Sequence, residues 1–550
     1  MAENIKSISG ETAESIFIHA NASTLITGET LYCKVFCLNA SDKTTSKISK
    51  IAYAELIDSD KKSVFKQKLN LINGTAQADF FIPTTLKTGN YKLIGYTLWM
   101  LNSSQSNFFE MDITIINPFQ PLDKSLTIDS TFANSKIAEN IAQSSNQFSI
   151  ISDKKRYGHR EKVSLNIKAL TNYNKGNYAI SVRKIDSIPI KPQPTAKLFT
   201  SGNNPIVTAT QIKILPELRG ELVSGTIISK SGKSVANKSV ALSIRGKSFA
   251  FKLSRTNQLG KFNFVLEKNP VSGKAVIQVF ENDRDDYQIA LDAEKNPDFT
   301  PLKFPETLAL SGQDKIAIEQ RSIAAQIENG YYQQKKDSTY AENDTPSFFH
   351  PLEKRYVLDD YTRFPTLRET ITEVILEMYS VKKGDQYSIH LRNTTLDPEM
   401  YGQPLILIDG LLIQDTNALY DFNMENVYAV DLINYPYVYG SKTFSGVANF
   451  ITKTNDYENK AYGDFIKTVE LARPVIGKEY YNPSYEQGNT NKRIPDYRQQ
   501  ILWLPQITLE NDQNAVSFYT SDLSGKFEIV LEGFTDGGIP VSAKEFIEVK

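Results

Sequence analysis

Apolar and polar side chains alternate with a period of two along much of the chain. Between residues 14 and 116 the runs ESIFIHAN, ETLYCKVFCL, IAYAELID, KKSVFKQKLNL, GTAQADFFIP and GNYKLIGYTLWM each read as a half-buried strand. Together they predict a β-sandwich of about seven strands. Gly28, Gly74 and Gly89 stand where hairpins must turn, and NPFQP (117–121) closes the unit. Alternation resumes in FSIISDKK, KVSLNIKAL and NYAISVRKID, predicting a second sandwich over 145–216. The last 50 or so residues alternate again but are thin for an independent core, so the expectation is that 498–550 completes the second sandwich. LVSGTIISKSGKSVANKSVALSIRG, FAFKLSRTNQLGKFNFVL and GKAVIQVF make a compact β module over 217–297, with turns at Ser231-Gly232 and Leu259-Gly260.

Helical spacing appears only twice at length. Ile316, Ala324 and Ile327 recur near a period of 3.6 in SGQDKIAIEQRSIAAQIENGYY, with Ser311 as the cap and Gly330 as the stop. TLRETITEVILEMY predicts a second helix capped by Thr366. Strand-like YSIHLRN, PLILIDG, VYAVDLIN and GVANFITK follow, with a short helix near 417–422, and make a small α+β unit over 365–456. Polar stretches at 119–144 and 457–497 read as linkers, and 298–364 as a helical connector.

Length and composition agree with a mainly β, multidomain chain. Its 550 residues suit three to five domains, and 28 Tyr and 29 Phe accompany the β-branched runs. A net charge of −1 draws the whole chain neither to nucleic acid nor to an anionic membrane. No stretch approaches the ~20 apolar residues of a spanning helix. MAENIKSISGETAES lacks the apolar core of a signal peptide, which predicts either a cytoplasmic chain or numbering that begins after processing.

Candidate chemistry is sparse. The four histidines, His19, His159, His350 and His390, share no motif, and HExxH, GxSxG, GxGxxG and GxxxxGK[ST] are all absent. No catalytic residue, cofactor site or metal site is expected. Cys33 and Cys37 lie four steps apart on one predicted strand, ~13 Å at 3.3 Å each, too far for a disulfide and consistent with small buried hydrophobes. The acidic run Glu281–Tyr287 offers Asp283, Asp285 and Asp286 to a calcium ion but lacks the Gly and closing Glu of a calcium loop, so a solvated hairpin tip is the better reading. The basic run 153–160 reads as a solvated turn.

Three stretches resemble known families. ESIFIHANASTLITGETLYCKVFCLNA with LKTGNYKLIGYTLWMLN resembles the macroglobulin-type sandwich of large Bacteroidetes envelope proteins; ISDKKRYGHREKVSLNIKA looks like a second one, and ILWLPQITLENDQNAVSFYTSDLSGKFEIVLEG is similar to the macroglobulin segment that precedes a thioester domain. No CxEQ thioester motif occurs. Leu222 to Phe280 resembles the carboxypeptidase-regulatory, prealbumin-like module through Gly225, Gly232, Val235, Val240, Thr256, Asn257, Gly260, Phe262 and Phe264. PLILIDGLLIQD and MENVYAVDLINYPYVYGSKTFSGVANFITK resemble the plug domain of TonB-dependent outer-membrane transporters, with Asp409, Gly410, Tyr439, Gly440, Gly446 and Val447 on the family pattern. The fold class expected is therefore a chain of Ig/macroglobulin-like sandwiches with an inserted prealbumin-like domain and a small plug-like domain.

The resemblance implies a non-enzymatic periplasmic accessory at the inner face of the outer membrane. It would dock on, and plug, a β-barrel channel such as the type IX secretion translocon, with Tyr435, Tyr437, Tyr439, Phe444, Asp409 and Gly410 as the partner contact. The same aromatics serve equally well to cover the plug's own core. Two alternatives are a periplasmic or surface binding module beside a TonB-dependent transporter, and a macroglobulin-type protease inhibitor whose bait would be 122–144.

Overall fold

The computed structural model describes residues 13–103, 108–121, 127–128, 148–170, 173–202, 212–267, 273–305, 307–308, 310, 312, 314–340, 347–392, 403–420, 422–458, 461–486, 493–509 and 513–550. Most of the expected linker 119–144, all but residues 127–128 of the stretch considered as bait, and the expected cap Ser311 lie outside them. The fold is mainly β and multidomain. Two units emerge: Met1–Leu218 with Lys295–Tyr340 and Pro474–Lys550, and Arg219–Glu294 with Ala341–Arg473. Among the described residues, no helix is long and apolar enough to cross a membrane.

In the first unit the N-terminal sandwich has one sheet of Glu14–Ala20, Thr30–Asn39 and Thr75–Phe81. The facing sheet runs Thr24–Ile26, Phe109–Ile116, Gly89–Tyr96, Ile51–Ile57 and Ser63–Asn70. Alternation decides which side chains go where. Ile16 and Ile18 turn inward, close enough to Gly95 that a Cβ there would lie 2.6 Å from Ile18. Phe17 and His19 turn to the opposite face. Cys33 and Cys37 are buried free thiols, and burial pushes the Cys33 thiol well above its usual range.

The second sandwich is shared between two distant stretches. Lys162–Ala169 pairs with Phe148–Ser152 on one side and Gln513–Tyr519 on the other. Gly176–Lys184 sits between Gln500–Ile507 and Gly525–Thr535, and Pro540–Val549 and Arg156–Tyr157 continue that sheet. Val163, Leu165, Ile180, Val182, Ile529 and Leu531 are among its core residues.

The outer face of this five-stranded sheet is buried against the outer face of the first sandwich's three-stranded sheet. Phe534 contacts Phe17 and Phe36 edge-on at 5.6 and 5.5 Å, and Trp503 stacks on His19 and Tyr32. The helix Asp314–Gly330 belongs to this unit. Its Arg321 guanidinium donates to Glu29 (Nε–Oε1, 3.0 Å) and to Asp186, while Arg183 reaches Glu29 from the second sandwich (3.1 Å). The two guanidinium groups outweigh the cost of burying Glu29 and bring its carboxyl down to about 2.

In the second unit the β module has a three-stranded sheet of Lys261–Leu266, Glu221–Ser229 and Tyr287–Leu291. Its second sheet has four strands: Ala250–Arg255, Ser239–Ile244, Lys274–Val279 and Ile466–Glu470. The fourth comes from the polar stretch read as a linker. Its Lys467, Thr468 and Glu470 conceal it from a hydrophobicity pattern, because an edge strand buries little.

The α+β module, the stretch that resembles a plug domain in sequence, is a five-stranded sheet in the order Lys354–Val357, Val427–Ile433, Val447–Thr452, Leu405–Ile408, Leu411–Leu412. It therefore begins inside the stretch expected to be a helical connector. Thr366 and Glu369 form the capping box of helix Leu367–Glu373. The helix is shorter than its pattern predicts: it stops before Val374, and Met378–Lys383 pairs with Gln386–Leu391 as a hairpin. Val374, Ile375 and Met378 are all buried after the helix has ended, so tertiary burial overrode the helical spacing.

Candidate interaction site

Asp409 and Gly410 form the two-residue turn between Leu405–Ile408 and Leu411–Leu412. Both have left-handed backbones (φ +49° and +82°), as a tight primed turn requires. Asp409 is buried and each of its oxygens is used. Thr452 donates its N–H to Oδ1 (2.7 Å) and its hydroxyl to Oδ2 (2.6 Å), and the Tyr457 N–H donates to Oδ2 (3.1 Å). The Gly410 N–H donates to Asn449 Oδ1 (3.2 Å). A Cβ on Gly410 would stand 2.2 Å from the Phe249 ring. This turn is an internal lock, closed off from any outside partner.

The tyrosines flank a second hairpin, Tyr437–Tyr439 with Lys442–Phe444, turning through Gly440 at φ +58°. Alternation sorts its side chains. The Tyr437 hydroxyl donates to the Phe348 carbonyl (2.9 Å), and the Tyr439 hydroxyl to the Phe251 carbonyl (2.6 Å). The Tyr439 ring stacks on Phe251 and lies 4.4 Å from Phe348. Burial pushes its phenol up to about 12. Phe444 is buried and stacks on Phe280, with the Lys442 ammonium 4.7 Å over the Phe280 ring. Val438 points the other way and is 70% exposed; Tyr435 is 44% exposed.

Of the six expected contact residues, Asp409, Gly410 and Phe444 are thus interior, Tyr437 and Tyr439 are anchors with their hydroxyls turned in, and Tyr435 is open. The partners of the anchors were not singled out from the sequence. Phe249 and Phe251 come from the β module, and Phe348 and Phe349 precede the first strand of the α+β module's sheet. The adjacent aromatics of SFFH, in an otherwise polar stretch, are the signal that marks the second pair. Val438 also escaped notice, because a single exposed apolar residue leaves no pattern.

The remaining candidates resolve locally. Asp283 binds the Lys238 ammonium (3.0 Å) and Asp286 that of Lys233, so the acidic run carries its own cations. In the basic run Lys155, Arg156 and Arg160 pair with Glu545, Glu548 and Asp522. His390 lies 2.8 Å from Ser388 on one strand and is stacked on Tyr379; burial lowers its pKa. Among the described residues, no group of three or more His, Cys, Asp or Glu is placed to hold a metal ion.

No family model matches the chain, and no curated protein matches it. Among solved structures, Salmonella alpha-2-macroglobulin reacted with methylamine aligns over 98% of this chain and 40% of its own, at 10% identity and a TM-score of 0.26. Escherichia coli alpha-2-macroglobulin activated by porcine elastase aligns over 98% of this chain and 44% of its own, at 8% identity and a TM-score of 0.24. The Escherichia coli adhesin FdeC aligns over 49% of this chain and 61% of its own, at 12% identity and a TM-score of 0.15. The chain thus spans less than half the length of either macroglobulin.

Proposed function

We propose that this chain is a non-enzymatic interaction protein of the bacterial periplasm that docks on an outer-membrane β-barrel through the plug-like module. The observation that carries the reading is the hairpin 437–444. Its inward tyrosines fix it by two hydroxyl-to-carbonyl bonds, and Val438 is held outward, with Tyr435 open three residues before it. A pinned hairpin that presents apolar side chains loses little conformational freedom on binding, which favours recognition by a protein surface. The contact is accordingly narrower than the sequence pattern suggested: it centres on Tyr435, Val438 and the exposed turn at Gly440 and Ser441. The sandwiches act as support and spacer.

The test is affinity purification of the native protein from detergent-solubilised membranes, beside the double variant Tyr435→Ser, Val438→Asp. Recovery of a large barrel protein with the native chain and its loss with the variant are expected. Recovery of the native chain alone, or equal recovery of the barrel with both, overturns the reading.

A further inference from the structure

In the first unit, the segment after Gly176–Lys184 runs along the edge of the N-terminal sandwich and is held there by three contacts. The Ser23 hydroxyl donates to the Lys191 carbonyl (2.7 Å), and the Thr24 hydroxyl to the Pro189 carbonyl (3.0 Å). The Lys191 ammonium reaches inward to Asn90 Oδ1 at 2.6 Å. Asn90 lies on strand Gly89–Tyr96 and is 3% exposed. Its amide nitrogen is held by two carbonyls, Pro305 (2.8 Å) and Thr307 (3.1 Å). The Lys191 amine and the Asn90 amide are therefore held in hydrogen-bond contact, the proximity from which an intramolecular reaction starts; the Thr114 hydroxyl also donates to Asn90 Oδ1 (3.4 Å).

The surroundings ease the loss of a proton from Lys191. Desolvation lowers the Lys191 pKa, and the neighbouring Lys92 ammonium adds to that, against the Asp112 carboxylate, which raises it. Asp112 Oδ1 is 2.8 Å from Lys92 Nζ. Asn90 and Lys92 share one face of their strand, and Asp112 is the cross-strand partner of Lys92. Amine, amide and carboxylate thus belong to one side-chain cluster. The Lys66–Asn296 contact brings the same two groups together but is solvent-exposed.

We propose that Lys191 and Asn90 form an intramolecular isopeptide cross-link. Lys191 Nζ, after losing its proton to Asp112, attacks Asn90 Cγ. The new Nζ–Cγ bond forms, the Cγ–Nδ2 bond breaks, and Nδ2 leaves as ammonium, taking the second amine proton and the one Asp112 returns, so that Asp112 ends as the carboxylate it began as. No oxidant, reductant or co-reactant is needed. The product staples the 187–195 segment to the N-terminal sandwich through a covalent loop from 90 to 191. Such a loop limits the unfolded chain as a disulfide does, and reducing agents leave it intact.

Intact-mass measurement of the full purified chain decides it. The expected mass is that of the sequence less one ammonia, and proteolytic mapping should yield a branched peptide containing both Lys191 and Asn90. Lys191→Arg and Asn90→Ser should each show the unreduced mass of their own sequence, and Asp112→Asn should leave most of the chain unlinked. A native chain at its full sequence mass overturns the proposal without any variant having to fold. So does an ammonia loss that maps to another site, the Lys66–Asn296 pair included.

Discussion

Where the two sandwiches of the first unit meet, the buried faces carry His19, Lys34 and Glu532 among aromatics, beside the Glu29–Arg321–Arg183 cluster. Where the β module meets the α+β module's sheet in the second unit, they carry Phe249, Phe251, Phe348, Phe349, Tyr437 and Tyr439. The first joint is closed by groups that each need a particular partner. Lys34 donates to Thr75 Oγ1 (3.0 Å) and Gln506 Oε1 (2.8 Å), and Glu532 accepts from the Ala196 N–H (2.8 Å) and the Ser542 hydroxyl (2.6 Å). The second is closed mainly by aromatic area: its tyrosine hydroxyls bond to backbone carbonyls, and two uncharged groups, Gln278 donating to the Leu412 carbonyl (3.0 Å) and the Ser243 hydroxyl accepting from the Leu412 N–H (3.2 Å), add to it. A polar joint tolerates one register and titrates; an aromatic joint gains its stability from burial and responds little to pH. Burial dominates in the first: it brings Lys34 down to about 7 and, outweighing the Ser542 and Ala196 hydrogen bonds and the Lys544 and Lys197 ammonium groups, Glu532 up to about 7.

The sharpest blow to the contrast is Phe251→Ala. Phe251 is fully buried and supports Tyr439, Phe348 and Phe249. Its loss should cost about 3–5 kcal/mol in urea unfolding of the full chain, read on the transition of the second unit. If the cost is below about 1 kcal/mol, the aromatic joint does not hold that unit together. Arg321→Ala comes next, at about 3 kcal/mol from the first unit, because Glu29 stays buried with Arg183 alone. Arg321→Met, which keeps the packing of the stem, should recover only a small part of that if charge is what matters.

The pH dependence separates the joints more finely. Glu532 has a folded pKa above its usual 4.5, so its contribution is complete below about pH 4.5 and is lost as pH rises through about 7. Glu532→Gln should remove that fall, and the difference between variant and native stability should grow from about pH 4.5 to about pH 7. His19 runs the other way: burial and the Lys544 ammonium lower it to about 3. Its contribution is present above about pH 6.5 and is lost as pH falls towards 3, an effect that His19→Phe should abolish. The second unit's unfolding should show neither slope. The smallest effect is expected for Val438→Asp, within about 0.5 kcal/mol of native stability, since the side chain touches little of its own fold. Partner recovery, by contrast, should fall with this variant.

Much of the architecture was legible because a half-buried strand writes its alternation into the sequence. Lys162–Ala169 buries every second residue, Val163, Leu165, Ile167 and Ala169, and Thr366 with Glu369 announces a helix start. Ile466–Glu470 was illegible, because as an edge strand it has little apolar surface to hide. The end of Leu367–Glu373 was equally so, because Val374, Ile375 and Met378 suit a helix and are claimed by other contacts. At the site, the tight turns at Asp409-Gly410 and Gly440 were readable from residues that favour left-handed backbone. Which faces of the surrounding aromatics point outward was not.

From the sequence alone came the β class, the positions of most strands and turns, and the absence of recognised catalytic signatures, all consequences of local periodicity and side-chain chemistry. Only the tertiary structure could decide that Tyr437 and Tyr439 turn in while Val438 turns out, that Asp409 is a lock, and that Asn90 meets Lys191 across a hundred residues. Those outcomes depend on which distant strand supplies the opposing surface, and a period of two names a buried face without naming what buries it.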